Sequence, residues 1–130
     1  MKNRLKIGDI RHFKKEVTEA DFARFEDRLV HPVCSTFALA QAVEWTARLF
    51  TLDEKDDDEE GIGTYLRIEH LNPAHLGEFI LIEAELMQIN RHELICRFQA
   101  KVGERTIAKG ETGQKILKKE KLAKLLNPKR

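Results

Sequence analysis

The sequence predicts an α+β domain in which one long central helix is wrapped by an antiparallel β-sheet. Three observations lead there. Ser35 to Thr51 carries apolar residues on almost every face, so that helix belongs inside the protein. From Ile62 onward the hydrophobic period changes from helical to alternating. The alternating stretches are long and separated by short turn sequences, which argues an antiparallel meander. A chain of 130 residues suits one domain spanning 1–130, large enough to bury a core without disulfides or a structural metal.

Gly8 to Val17 can form a strand. Thr18-Glu19-Ala20-Asp21 then has the form of a capping box, predicting a short peripheral helix through Phe22 and Phe25. The apolar helix follows His31-Pro32, with Ser35 or Thr36 as a natural N-cap and only Glu44 and Arg48 charged along it. Asp53 to Glu60 contains seven acidic residues and one Lys, and reads as a solvated loop. In Ile62 to Leu71, one strand face carries Ile62, Leu66, Ile68 and His70, and the other Tyr65, Arg67 and Glu69. Phe79 to Ile89, Glu93 to Val102 and Arg105 to Leu117 supply three more strands, with turns at Asn72-Pro73, Asn90-Arg91-His92 and Gly103-Glu104. Residues 118–130 form a final basic tail, whose Leu122, Leu125 and Leu126 among lysines predict a surface amphipathic helix.

Composition removes several function classes. With 23 basic and 22 acidic side chains the net charge is +1, so no whole-chain attraction to nucleic acid or anionic membrane is expected. The N-terminus lacks the apolar run of a secretory signal, and Val33 to Val43 is too short to cross a bilayer. A cytoplasmic location follows as the expectation, in which Cys34 and Cys96, far apart and without CxxC spacing, are reduced and buried. The acidic run resembles a calcium loop only faintly, because Arg67 stands where the closing Glu belongs. Gly61 and Gly63 do not begin a dinucleotide fingerprint, because Leu66 occupies the third glycine position.

Function must come from particular residues. His70 shares a face with Leu66 and Ile68, so it faces the buried helix, either as a packed histidine or as an acid–base group. Glu44 is the one carboxylate in that apolar helix; it either pairs with Arg48 at i,i+4 or is held there for chemistry. Thr36 stands at the helix entrance. Eight residues separate Thr36 from Glu44, about 12 Å along a regular helix, so the two do not bond directly if both are helical. Either Thr36 lies in the non-helical lead-in, or the site combines two subunits.

Val33-Cys34-Ser35-Thr36, then Glu44-Trp45, then Gly63-Thr64-Tyr65-Leu66-Arg67-Ile68-Glu69-His70-Leu71 resemble the hotdog thioesterases of the fluoroacetyl-CoA thioesterase type. That family has a Thr before its central helix, a Glu eight residues later and a His within a G-T-x-V-x-V-x-H-L strand; Thr36, Glu44 and His70 fall at those positions. The resemblance spans about Gly8 to Leu117. It implies a hotdog fold, acyl-CoA thioester hydrolysis, catalytic roles for Thr36, Glu44 and His70, and an oxyanion role for the Gly63 N–H. It also implies a homodimer or higher homo-oligomer joined sheet to sheet, with no metal or prosthetic group and with CoA as part of the substrate. A non-catalytic acyl-CoA binding domain is the alternative. Two departures bear on this: Phe37 stands where the family often has Pro, and Thr112-Gly113-Gln114 replaces its T-H-E. Candidate partners for the CoA phosphates are Arg91, Arg97, Lys109 and the basic run from Lys115 to Arg130.

Overall fold

The computed structural model describes residues 1–128. Strand β1 (Ile10–Glu16) leads to a single 3-10 turn at Glu19–Asp21, then strands β2 (Phe22–Phe25) and β3 (Arg28–Cys34) and helix α1 (Thr36–Glu54). Strands β4 (Glu59–His70), β5 (Phe79–Asn90), β6 (Glu93–Val102) and β7 (Arg105–Lys118) follow, and helix α2 (Lys119–Leu126) closes the described chain. The five long strands form one antiparallel sheet in the order β1-β5-β6-β7-β4.

The inner face of that sheet and α1 share one core. Leu39, Val43, Ala47 and Phe50 on the helix and Ile80, Ile82, Leu86, Leu94 and Ile116 on the sheet are all buried. Alternation decides the sheet's contribution: in β6, Leu94, Cys96, Phe98 and Ala100 are buried while Arg97 and Gln99 are exposed. Gly110 marks the tightest approach. A Cβ there would run into the Arg67 carbonyl, which is backbone, and the Phe98 ring, so the sheet itself must shift to admit it. Gly110→Ala is therefore expected to cost about 3 kcal/mol, at the upper end of overpacking penalties, and to lower the urea midpoint at unchanged slope.

Four expectations are corrected. The capping box exists, with Asp21 accepting from the Thr18 N–H at 2.8 Å, but it starts one 3-10 turn and not a helix. Phe22–Phe25 instead pairs with β3 in a hairpin whose turn, Glu26 and Asp27, has positive φ at both residues. Cross-strand pairing competes with helix growth there and wins. Secondly, β4 does not pair with β5; Asn72-Pro73 begins a crossing segment that carries the chain from one sheet edge to the strand beside the other. Only β5, β6 and β7 form a meander.

Thirdly, the acidic run is not one solvated loop. Asp53 and Glu54 end α1, and Glu54 is buried, its carboxylate accepting from the backbone N–H groups of Asn3, Arg4 and Leu5 at 3.1, 2.8 and 3.3 Å. Glu59 is buried too and, with Asp56, holds the ammonium of Met1. Three oriented N–H donors satisfy the carboxylate oxygens that burial removes from water. Fourthly, Ile62 does not share a face with Leu66, Ile68 and His70, for a reason that also builds the site.

Both cysteines are buried free thiols. Burial raises them to about 11 for Cys34 and about 12 for Cys96, which leaves them protonated and unreactive. Helix α2 lies on the sheet through buried Leu122 and leaves Leu125 and Leu126 exposed. Lys129 and Arg130 of the predicted basic tail lie outside the described residues. No helix among the described residues is long and apolar enough to cross a membrane.

Candidate active site

Strand β4 positions two parts of the site by changing phase midway. Gly61 and Gly63 face α1: a Cβ on Gly61 would lie 2.6 Å from Thr51 Cγ2, and one on Gly63 would lie 3.8 Å from Glu44 Oε2. A strict period of two would then turn Tyr65, Arg67 and Glu69 inward and His70 outward. A bulge prevents this. Gly63 pairs with Gln114 and Tyr65 with Gly113, so Thr64 is the extra residue and the alternation flips. Leu66, Ile68 and His70 consequently face inward, whereas Ile62, before the bulge, belongs to the opposite face.

His70 ends β4 and meets the first residue of α1. Thr36 Oγ1 and His70 Nδ1 are 2.9 Å apart. Ser35 serves as the N-cap, its Oγ accepting from the Ala38 N–H at 3.0 Å, so the Thr36 hydroxyl is not consumed in capping. His70 Nε2 is buried and has no hydrogen-bond partner among the described residues.

Glu44 lies two turns further along α1, exposed, in a groove of about 250 Å³ that it lines with Trp45, Arg48, Gly63, Tyr65 and Gln114. The i,i+4 pair with Arg48 does not form. Arg48 donates to Glu60 at 2.9 Å, and this guanidinium, with the Gly61 N–H, holds the Glu60 carboxyl below its ordinary range. Glu44 is left without an ionic partner among the described residues. Of the four residues singled out by sequence, the structure brings Thr36 to His70 and Glu44 to Gly63. It does not bring these two pairs together within one protomer.

One of the two departures acquires a physical reason. A Cβ on Gly113 would lie 2.5 Å from Tyr65 Cδ1 and 2.7 Å from Thr64 Oγ1; the missing side chain is the seat of the Tyr65 ring. Phe37 is 84% exposed and packs into no acyl pocket of its own protomer. Phe50 and Phe98 belong to the core, while Phe79 is half-exposed. Among the phosphate candidates, Arg97 is engaged with Glu85 at 2.8 Å and Lys118 with Asp58 at 2.9 Å. Sequence reasoning did not place Tyr65, Thr51 or Gln114 at the groove they line or support; two polar residues, Thr112 and Gln114, on the inner face of β7 were the available signal for Gln114.

A family model, the fluoroacetyl-CoA-specific thioesterase FlK, matches residues 17–120. The chain belongs to the fluoroacetyl-CoA-specific thioesterase family. A Thermus thermophilus hypothetical protein described as a thioesterase superfamily member is 30% identical, with a TM-score of 0.90 over 95% of this chain and 91% of that one. A mutant of FlK itself is 18% identical, with a TM-score of 0.89 over 99% of this chain and 100% of that one. A hot-dog-like protein from Thermanaerovibrio acidaminovorans is 17% identical, with a TM-score of 0.85 over 92% and 89% of the two chains. No curated protein matches the sequence. The hotdog fold and the thioester-hydrolase class expected from the sequence agree with this family membership.

Proposed function

We propose that this thioesterase hydrolyses short or medium acyl-CoA thioesters to the free acid and CoA, using Thr36, Glu44, His70 and Gly63. The observation that carries the reading is the Thr36–His70 contact, which engages one imidazole nitrogen and leaves the other unpartnered. With the Thr36 hydroxyl donating to Nδ1, the proton of a neutral imidazole resides on Nε2, ready for a leaving group. Glu44, exposed to water and without an ionic partner, takes a proton from the attacking water. As the C–O bond forms, the thioester C=O becomes an oxyanion beside the Gly63 N–H. Collapse breaks the C–S bond, and His70 Nε2–H protonates the departing thiolate. No cofactor enters the scheme; CoA is part of the substrate.

Two copies complete the site in this reading. The pairs Thr36/His70 and Glu44/Gly63 lie about 12 Å apart along α1, so each pair faces the complementary pair of a second subunit. Strand β4 is a sheet edge, flanked by exposed Phe37, Trp45 and Tyr65, and a second copy pairing there covers both the open edge and the aromatic rings. The groove of about 250 Å³ falls below the size that encloses a drug-sized ligand, which suits an acyl chain with the nucleotide held outside. The proposed setting is the cytoplasm, in keeping with two buried free thiols.

The test is free-thiol release from acetyl-, butyryl-, hexanoyl- and benzoyl-CoA, with sedimentation of the same sample. Turnover of at least one thioester by a dimer or larger oligomer is the expected result. Saturable binding without turnover by the folded protein would instead make it an acyl-CoA binding domain.

A further inference from the structure

Gln114 is an unusual residue for its place. It lies on β7, an interior strand of the sheet, with Gly63 opposite it on β4 and Leu94 opposite it on β6. The residue is 9% exposed and its side chain points toward α1, where an apolar residue would pack without the cost of burying an amide. Half of that amide is satisfied: the Thr51 hydroxyl, itself fully buried, donates to Gln114 Oε1 at 2.9 Å. Thr51 in turn has no freedom, because its methyl occupies the space left by the absent Cβ of Gly61. Glycine, threonine and glutamine thus form a fixed support running from β4 through α1 to β7.

The other half of the amide has no partner among the described residues. With Oε1 tied to Thr51, the NH2 group is the part of Gln114 left to the groove that Glu44 and Gly63 also line. A nearly buried donor, held by a dedicated anchor beside a candidate oxyanion position, is an arrangement that a bound acceptor would complete.

We infer that Gln114 contacts the substrate, its side-chain NH2 donating to the thioester carbonyl oxygen alongside the Gly63 N–H, with Thr51 as the positioning residue that sets the amide's orientation. The inference rests on the hydrolase reading above. It assigns the position to a neutral donor that stabilises negative charge on the carbonyl oxygen as water attacks.

Two unreactive CoA analogues test it: a dethia-CoA ketone, which keeps a carbonyl in place of the thioester, and an S-alkyl-CoA, which has none. Gln114→Met is expected to weaken the ketone about tenfold, the worth of one hydrogen bond lost at a buried site, and to leave the S-alkyl compound unchanged. The same variant is expected to lower kcat by about ten- to a hundredfold. Gln114→Glu still accepts from Thr51 but offers no donor to the groove, so it reproduces the selective loss. Thr51→Val gives a smaller loss of the same kind, and Thr51→Ser, which keeps the hydroxyl, restores it. Equal weakening of both analogues, or full ketone affinity in Gln114→Glu, would overturn the assignment; should Gln114→Met not fold, Gln114→Glu and the Thr51 pair decide alone. If the wild-type protein binds neither analogue and releases no thiol, the hydrolase reading itself fails, and this inference with it.

Discussion

His70→Ala is expected to lower kcat on the preferred acyl-CoA by about 10²–10⁴-fold while leaving a folded protein. The reason is the geometry at the end of β4. His70 Nδ1 meets Thr36 Oγ1 at 2.9 Å, and Nε2 has no partner among the described residues, so in the proposed scheme alanine removes the group that hands a proton to the thiolate. Thiol release at saturating substrate measures the loss, and a circular-dichroism melt separates it from unfolding. Thr36→Val is the informative companion: it removes the bond to Nδ1 without removing the imidazole, so it should cost less than His70→Ala. Full activity in His70→Ala would remove the assignment.

The second large effect falls on Glu44. Glu44→Gln keeps the shape and hydrogen-bonding reach of the side chain but abolishes its basicity, so about a hundredfold or greater loss of kcat is expected. Because Glu44 is exposed and forms no ion pair among the described residues, the substitution should not move the melting temperature. That contrast is the useful part of the measurement. Loss of rate at unchanged stability and KM marks a chemical role, whereas a fall in stability would mark a structural one. In mixed dimers carrying His70→Ala on one subunit and Glu44→Gln on the other, facing pairs from two copies predict that one of the two sites retains all its groups. Such mixtures should recover activity that neither parent shows.

Much of the fold was legible because its signals are local. Ser35 to Thr51 was recognisably a buried helix from its composition, and the structure extends it only to Glu54. Strands β5, β6 and β7 follow from alternation and two short turns. The helix expected at Phe22 and Phe25 failed for a non-local reason: β3 was available to pair with that segment, and a four-residue stretch has too little helix to compete. The acidic run failed similarly. Nothing near Glu54 or Glu59 in sequence announces that residues 1–5 will fold over them and supply the donors that make their burial tolerable.

For the candidate site, Thr36, Glu44 and His70 stood out by residue type and position and Gly63 through the family resemblance, but which of them meet was not legible. The sequence by itself determined that an apolar helix with a lone carboxylate must be covered by alternating strands, because side-chain direction within a helix or strand is set by the backbone's own period. Only the tertiary structure decided which strand lies at the edge, where the bulge at Thr64 falls, and that Gln114 is tied to Thr51. These depend on which distant segments meet and in what register, and one extra residue in a strand reverses every side chain beyond it. That single reversal is what turns His70 toward Thr36.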